Sequence, residues 1–168
     1  MSVSMYQVSV PVFLQLLAGL SKNLQKTVDH ANAKKIDPNA FLGARLYPDM
    51  FPLVRQVQLA ADFAKGAAAR LAGVDVPKYA DSEASFEELQ ERIAKTVAFL
   101  KEFKPAQIDG SEDRDITVTV GGKPVTSKGQ QYLLFSAMPN FYFHVTTAYA
   151  LLRHNGVEIG KRDFMGNS

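Results

Sequence analysis

From Gln130 to Leu152 the chain carries no Asp, Glu, Lys or Arg, a run of that length without charge that suits either a bilayer or a protein core. A bilayer accepts a stretch of about 20 apolar residues. Pro139, Asn140, His144 and several hydroxyls interrupt this one, so it reads as a core helix of a globular protein. Its first residues are expected to be extended. The helix itself is expected over Ser136–Gly156: Ser136 as a cap, Pro139 in the first turn where its missing N–H costs nothing, and Gly156 after Arg153-His154-Asn155 as the stop.

At about 100° per residue, Met138, Phe141, Val145, Ala148 and Leu152 make one apolar stripe. Tyr142, Thr146, Tyr149 and Arg153 share a more polar side. Asn140, His144, Thr147 and Leu151 point within roughly 60° of one another, roughly opposite Arg153 and inward. The only deeply placed histidine of the chain therefore has an amide one turn before it.

Helical spacing recurs upstream. Phe13, Leu16, Leu17, Leu20, Leu24, Val28 and Ala31 define a long first helix ending near Lys34, with Pro11 at or near its start. Asp37-Pro38 reads as a cap and first helical position of a brief turn through Phe41 and Leu42. A second long helix is expected from about Asp49, with Pro52 in its first turn, Met50, Leu53, Val57, Ala60, Ala64, Ala68 and Leu71 on one face, and Gly73 as its end. Its small-residue half, AKGAAARLAG, lets a neighbouring helix or a second subunit approach closely. After a loop over 74–84, Ser85 and Glu88 form a capping box for a third helix on Phe86, Leu89, Ile93, Val97 and Leu100, closed by Pro105. Past a polar turn from Asp109 to Arg114, Ile116, Val118 and Val120 alternate with Thr117 and Thr119. Gly121-Gly122 then suits a two-residue hairpin turn, and Pro124 marks the returning arm as an edge. The pattern is all-α, one domain over 1–168, with a small β-hairpin before the last helix.

Composition narrows the function. The 19 basic and 17 acidic side chains of the 168 are interspersed and leave a net charge of +2, with no footprint for nucleic acid or an anionic membrane. There is no cysteine, which removes disulfides and thiolate chemistry and agrees with a reducing cytoplasm. The apolar stretch Val10–Leu20 follows no Lys or Arg, the reverse of a signal peptide, so a cytoplasmic protein is expected.

His144 has two readings, a metal ligand or base on one hand and a hydrogen-bonded core histidine on the other. His154, about 15 Å along the helix and about 80° round it, cannot share an ion with His144. His30, near the end of the first helix, suits the terminal carbonyls as a cation. From the second helix Gln56 lies on a line with Asp49, Ala60 and Phe63 and could complete a polar cluster with Asn140 and His144, though amides are poor Zn²⁺ ligands. Asp49 reads as a cap before it reads as a ligand. The acidic turn from Asp109 to Asp115 lacks the glycine and terminal glutamate of a calcium loop. No phosphate-binding loop, Ser-His-Asp arrangement or zinc-protease helix is present.

The runs YPDMFPL and RQVQLAADFAKGAAARLAG, then DGSEDR, then NFYFHVTTAYALLRHNGVEIGKRDF resemble an uncharacterised bacterial domain-of-unknown-function family of the DinB/YfiT-like superfamily. The resemblance covers nearly the whole chain. It implies a DinB-like four-helix bundle with a long crossover between the first two helices, commonly dimeric. It also implies a divalent-metal position built from one histidine of the second helix and an HxxxH pair of the last. Here the pair falls on Asn140 and His144, and Gln56 is the nearest residue for the third place. The expectation is a small-molecule-binding homodimer with a degenerate site around His144, Asn140, Gln56, Thr147 and Asp49, holding a divalent metal weakly or not at all. The alternatives are a metal-dependent enzyme of the DinB-like type, acting as a thiol-dependent transferase or hydrolase, and a purely structural dimer module.

Overall fold

Four long amphipathic helices form the body of the protein in a computed structural model that describes residues 3–166. Helix α1 runs Val10–Ala33 with Pro11 in its first turn, and a single 3₁₀ turn, Pro38–Phe41, follows it. The Asp37 carboxylate accepts the Asn39 amide, the cap its position before Pro38 suggests. Helix α2 spans Leu53–Ala72, α3 spans Phe86–Lys101 and the one-turn α4 spans Pro105–Ile108. Strands β1 (Asp115–Val120) and β2 (Lys123–Lys128) pair antiparallel as a two-stranded hairpin. Its turn residues Gly121 and Gly122 both take positive φ, 57° and 79°, as a tight hairpin requires.

The last long helix is longer than its sequence suggests. Instead of an extended approach, the chain is already helical from α5 (Gly129–Tyr132), passes through a π-helical turn at Leu133–Ala137 and continues as α6 (Met138–His154). Ser136 lies inside this continuous helix and caps nothing. Pro139 is the physical reason. It has no N–H to give and its ring would crowd the carbonyl four residues back, and a widened turn, in which the Met138 amide reaches the Leu133 carbonyl, absorbs the proline without ending the helix. A short α7 (Lys161–Phe164) ends the described chain.

Two other boundaries move, both at prolines. Helix α2 begins at Leu53, with Pro52 as its cap residue in extended conformation, so Asp49 lies outside it and caps nothing. A residue before proline avoids the helical region, and Phe51 therefore ends the loop. Helix α3 stops at Lys101, and Pro105 starts α4 instead of closing α3. The Ser85 hydroxyl accepts the Glu88 amide as a capping box requires, but the Glu88 carboxylate takes the Ala84 amide, one residue earlier than the box expects.

One core joins these elements. Phe13, Leu17, Leu20 and Leu24 of α1, Leu53, Val57, Ala60, Ala64 and Ala68 of α2, Leu89 and Leu100 of α3, and Phe141, Val145, Ala148 and Leu152 of α6 are all fully or almost fully buried. Helix α2 packs along α6 and against α3, and its run of alanines makes the close approach possible. The rings of Phe13 and Phe141 meet edge to face at 4.8 Å, tying α1 to α6. At the far end, the turn around α7 is drawn onto α1 by the Lys26–Asp163 ion pair at 2.5 Å and by Gln15, whose side-chain amide donates to the Met165 carbonyl. Gly19 makes this possible, since a Cβ there would stand 2.7 Å from the Phe164 carbonyl oxygen.

Candidate functional site

Helices α2 and α6 bring Gln56 and His144 together in the interior. The two are 1% and 7% exposed, and His144 Nδ1 lies 2.8 Å from Gln56 Oε1. Gln56 Nε2 donates to the backbone carbonyl of Phe51 at 3.1 Å. Phe63, seven residues after Gln56 and so on the same face of α2, stacks on the imidazole at 5.5 Å and 16°. Phe143 meets that ring edge-on at 5.3 Å. The imidazole is thus held by one hydrogen bond and two aromatic contacts.

Burial, together with the nearby Arg55 guanidinium, pushes the His144 pKa down to about 4, so the ring is neutral at physiological pH. Arg55 has its own partners. It pairs with Asp81 at 2.5 Å, donates to Gln58 Oε1 at 3.1 Å and lies over the Phe51 ring at 5.9 Å. Gln56 and Phe143, which both touch the His144 ring, line a cavity of about 190 Å³ together with Asp49, Met50 and Phe51, while His144 itself stands behind that wall. The cavity walls are mostly apolar, with one exposed carboxylate, Asp49, and one buried amide.

Of the sequence-derived candidates, His144 and Gln56 are in direct contact and Asp49 shares the cavity wall with Gln56. Thr147 is buried on the His144 side of α6. Asn140 does not join them: its side-chain amide donates back to the Ser136 carbonyl of its own helix at 2.8 Å. His30 lies edge-on to Phe41 at 6.4 Å, and His154 is exposed at the end of α6.

The donors present do not suit the divalent ion that the superfamily resemblance implies. One imidazole is available, through Nε2, since its Nδ1 is bonded to the Gln56 amide oxygen, and a single nitrogen does not hold an ion firmly. The Asn140 side-chain amide donates to its own helix, and among the described residues no three His, Cys, Asp or Glu side chains are grouped so that they could hold a metal ion.

A second polar cluster was not singled out from the sequence. Arg92 of α3, 4% exposed, donates to Asp62 (2.8 Å), Glu83 (2.8 Å) and the Ala80 carbonyl (3.0 Å), and pairs with Asp81 (3.0 Å). Asp62 also pairs with Lys65, and Gln58 donates to Glu83. Burial pushes the Glu83 carboxyl up, but the hydrogen bonds from Arg92 and Gln58 hold it below the usual range. The cluster fastens the 74–84 loop to α2 and α3. One signal was legible: Arg92 falls three residues after Leu89 and four before Thr96, on the buried stripe of α3.

Comparison with known proteins places this arrangement in a family. The model of a domain of unknown function, DUF1993, matches residues 5–165. The chain belongs to the DUF1993 family. Among solved structures it is similar to a DinB family member protein from Shewanella denitrificans, at 40% identity over 96% of this chain and 91% of that one, with a TM-score of 0.86. No curated protein matches. The DUF1993 chain is therefore a DinB-like helical bundle with a hairpin before its last long helix, and among its described residues no helix is long and apolar enough to cross a membrane.

Proposed function

We propose that this DUF1993 protein is a small-molecule-binding bundle whose ligand site occupies the position where the DinB-like superfamily places a metal. The observation that carries the reading is the buried His144–Gln56 hydrogen bond beside the cavity lined by Asp49, Met50, Phe51 and Phe143. A concave, mainly apolar space with a few fixed polar groups is the usual form of a small-ligand site. The donor set argues against a firmly held ion, so the site is a degenerate descendant of a metal centre in this reading. A fragment screen by NMR tests it. Hits should move the resonances of His144 and Phe143 and lose affinity in Phe143→Ala; hits that all map to other surfaces would refute it.

A homodimer belongs to the same proposal. Phe135 and Tyr142 on the last long helix are 78% and 41% exposed, and Leu134 on the same helix is 45% exposed. Clustered exposed aromatics are common at protein–protein interfaces. Light scattering at micromolar concentration should give twice the 18.5 kDa chain mass, and a monomer would refute this part. The cysteine-free composition fits a cytoplasmic location.

A further inference from the structure

The hydrogen bonds around Gln56 have a direction, and the direction starts from a backbone carbonyl. The Phe51 carbonyl oxygen can only accept, and it lies 3.1 Å from the Gln56 side-chain amide. The amide must therefore present its NH₂ group to Phe51, because the reverse orientation would set two oxygens against each other. Its oxygen then faces the imidazole at 2.8 Å. An oxygen that can only accept demands a proton on the nitrogen it faces, so that proton is on His144 Nδ1.

The sequence explains why the carbonyl is available. Pro52 delays the start of α2 to Leu53, so Phe51 lies outside the helix and its carbonyl points along the first turn to Gln56, five residues later. Phe63 stacked on one face of the imidazole and Phe143 at its edge hold the ring in plane. Its other nitrogen, Nε2, has no partner among the described residues and is not among the buried atoms sealed without one.

We propose that Phe51 and Gln56 act as a relay that fixes His144 as the Nδ1–H tautomer and so presents the Nε2 lone pair to a ligand that carries a hydrogen-bond donor, such as a hydroxyl. Gln56 is a positioning residue in this arrangement and Nε2 is the recognition atom. The ligand half rests on the pocket reading above; the tautomer half does not, since it follows from the unliganded geometry. The preference is for a neutral donor over a group of the same shape without one, because an acceptor left unmatched on burial is penalised.

Two measurements test the halves separately. In a two-bond ¹H–¹⁵N spectrum of labelled protein at pH 7, His144 should show a protonated, pyrrole-type Nδ1 and a pyridine-type Nε2. In Gln56→Met the bias should relax towards the Nε2–H form that free imidazoles favour in water. An Nε2–H reading in the wild type overturns the relay, and that spectrum decides the point even if the variant fails to fold. For the ligand, phenol and anisole share a ring and differ in the donor. Phenol should bind more tightly and shift the His144 Nε2 resonance, and anisole should leave it in place. Equal binding, or phenol that leaves Nε2 unmoved, overturns the ligand half. Binding of neither overturns it together with the pocket reading, while the tautomer stands or falls on its own spectrum.

Discussion

Acid should weaken this protein in a way that a single substitution removes. In the folded chain His144 is held at about 4 by burial and by Arg55, against an ordinary value of 6.5 when unfolded. Between those values the unfolded chain takes up a proton that the folded chain refuses. Stability is therefore full above about pH 6.5 and falls as the pH drops towards 4, where the folded ring also protonates. At about 1.4 kcal/mol per pH unit, the gap amounts to about 3 kcal/mol, most of it lost by pH 4.5. Carboxylates titrate in the same range, so the informative quantity is the difference between wild type and His144→Gln, which carries no titrating ring. In urea unfolding, the advantage of the wild type at pH 7.5 should shrink, or reverse, by about 2 to 3 kcal/mol at pH 4.5. Parallel pH profiles for the two proteins would refute the argument, and an NMR titration placing His144 near 6.5 would do so directly.

Other substitutions probe the frame around the site. Gly129→Ala would set a Cβ 2.0 Å from the Ser111 carbonyl oxygen, a backbone atom with little room to move, and should destabilise by about 2 to 3 kcal/mol in urea unfolding. Arg92→Met leaves Asp62, Asp81 and Glu83 with Lys65, Arg55 and the Gln58 amide to share among them; a loss of about 3 kcal/mol is expected, with faster proteolysis in the 74–84 loop. Gly19→Ala collides with the Phe164 carbonyl and should raise hydrogen exchange across residues 160–166 while leaving α2 and α6 protected.

Periodicity made most of the frame legible. The stripes of α1, α2, α3 and α6 are buried as their 3.6-residue spacing requires, Gly73 ends α2 in the left-handed conformation at φ 73°, and Gly121-Gly122 turns the hairpin. The misreadings concentrate at prolines. Pro139 looks like a helix start because it cannot donate, and only the packed structure shows a π turn carrying the helix through it. Pro52 shifts the start of α2 past Asp49, which sequence alone would make a cap.

The contact between Gln56 and His144 was within reach because both lie on the inward faces of long helices, although their separation of 88 residues leaves the distance to tertiary packing. Asn140 shows the limit of that reasoning. Its place one turn before His144 is right, but a side-chain amide next to its own helix carbonyl has a local partner, and Ser136 supplies it. The Arg92 cluster escaped because its acids come from α2 and from a loop without periodicity.

The central proposal is that an amide-bonded imidazole and a neighbouring cavity take the place of the ion that the superfamily resemblance implies. Elemental analysis of protein purified without a histidine tag and dialysed against a metal-free buffer tests it most directly. Zinc, nickel, manganese and iron should total far below one equivalent per chain, with no change in His144→Ala. Near-stoichiometric metal that disappears in His144→Ala would contradict it.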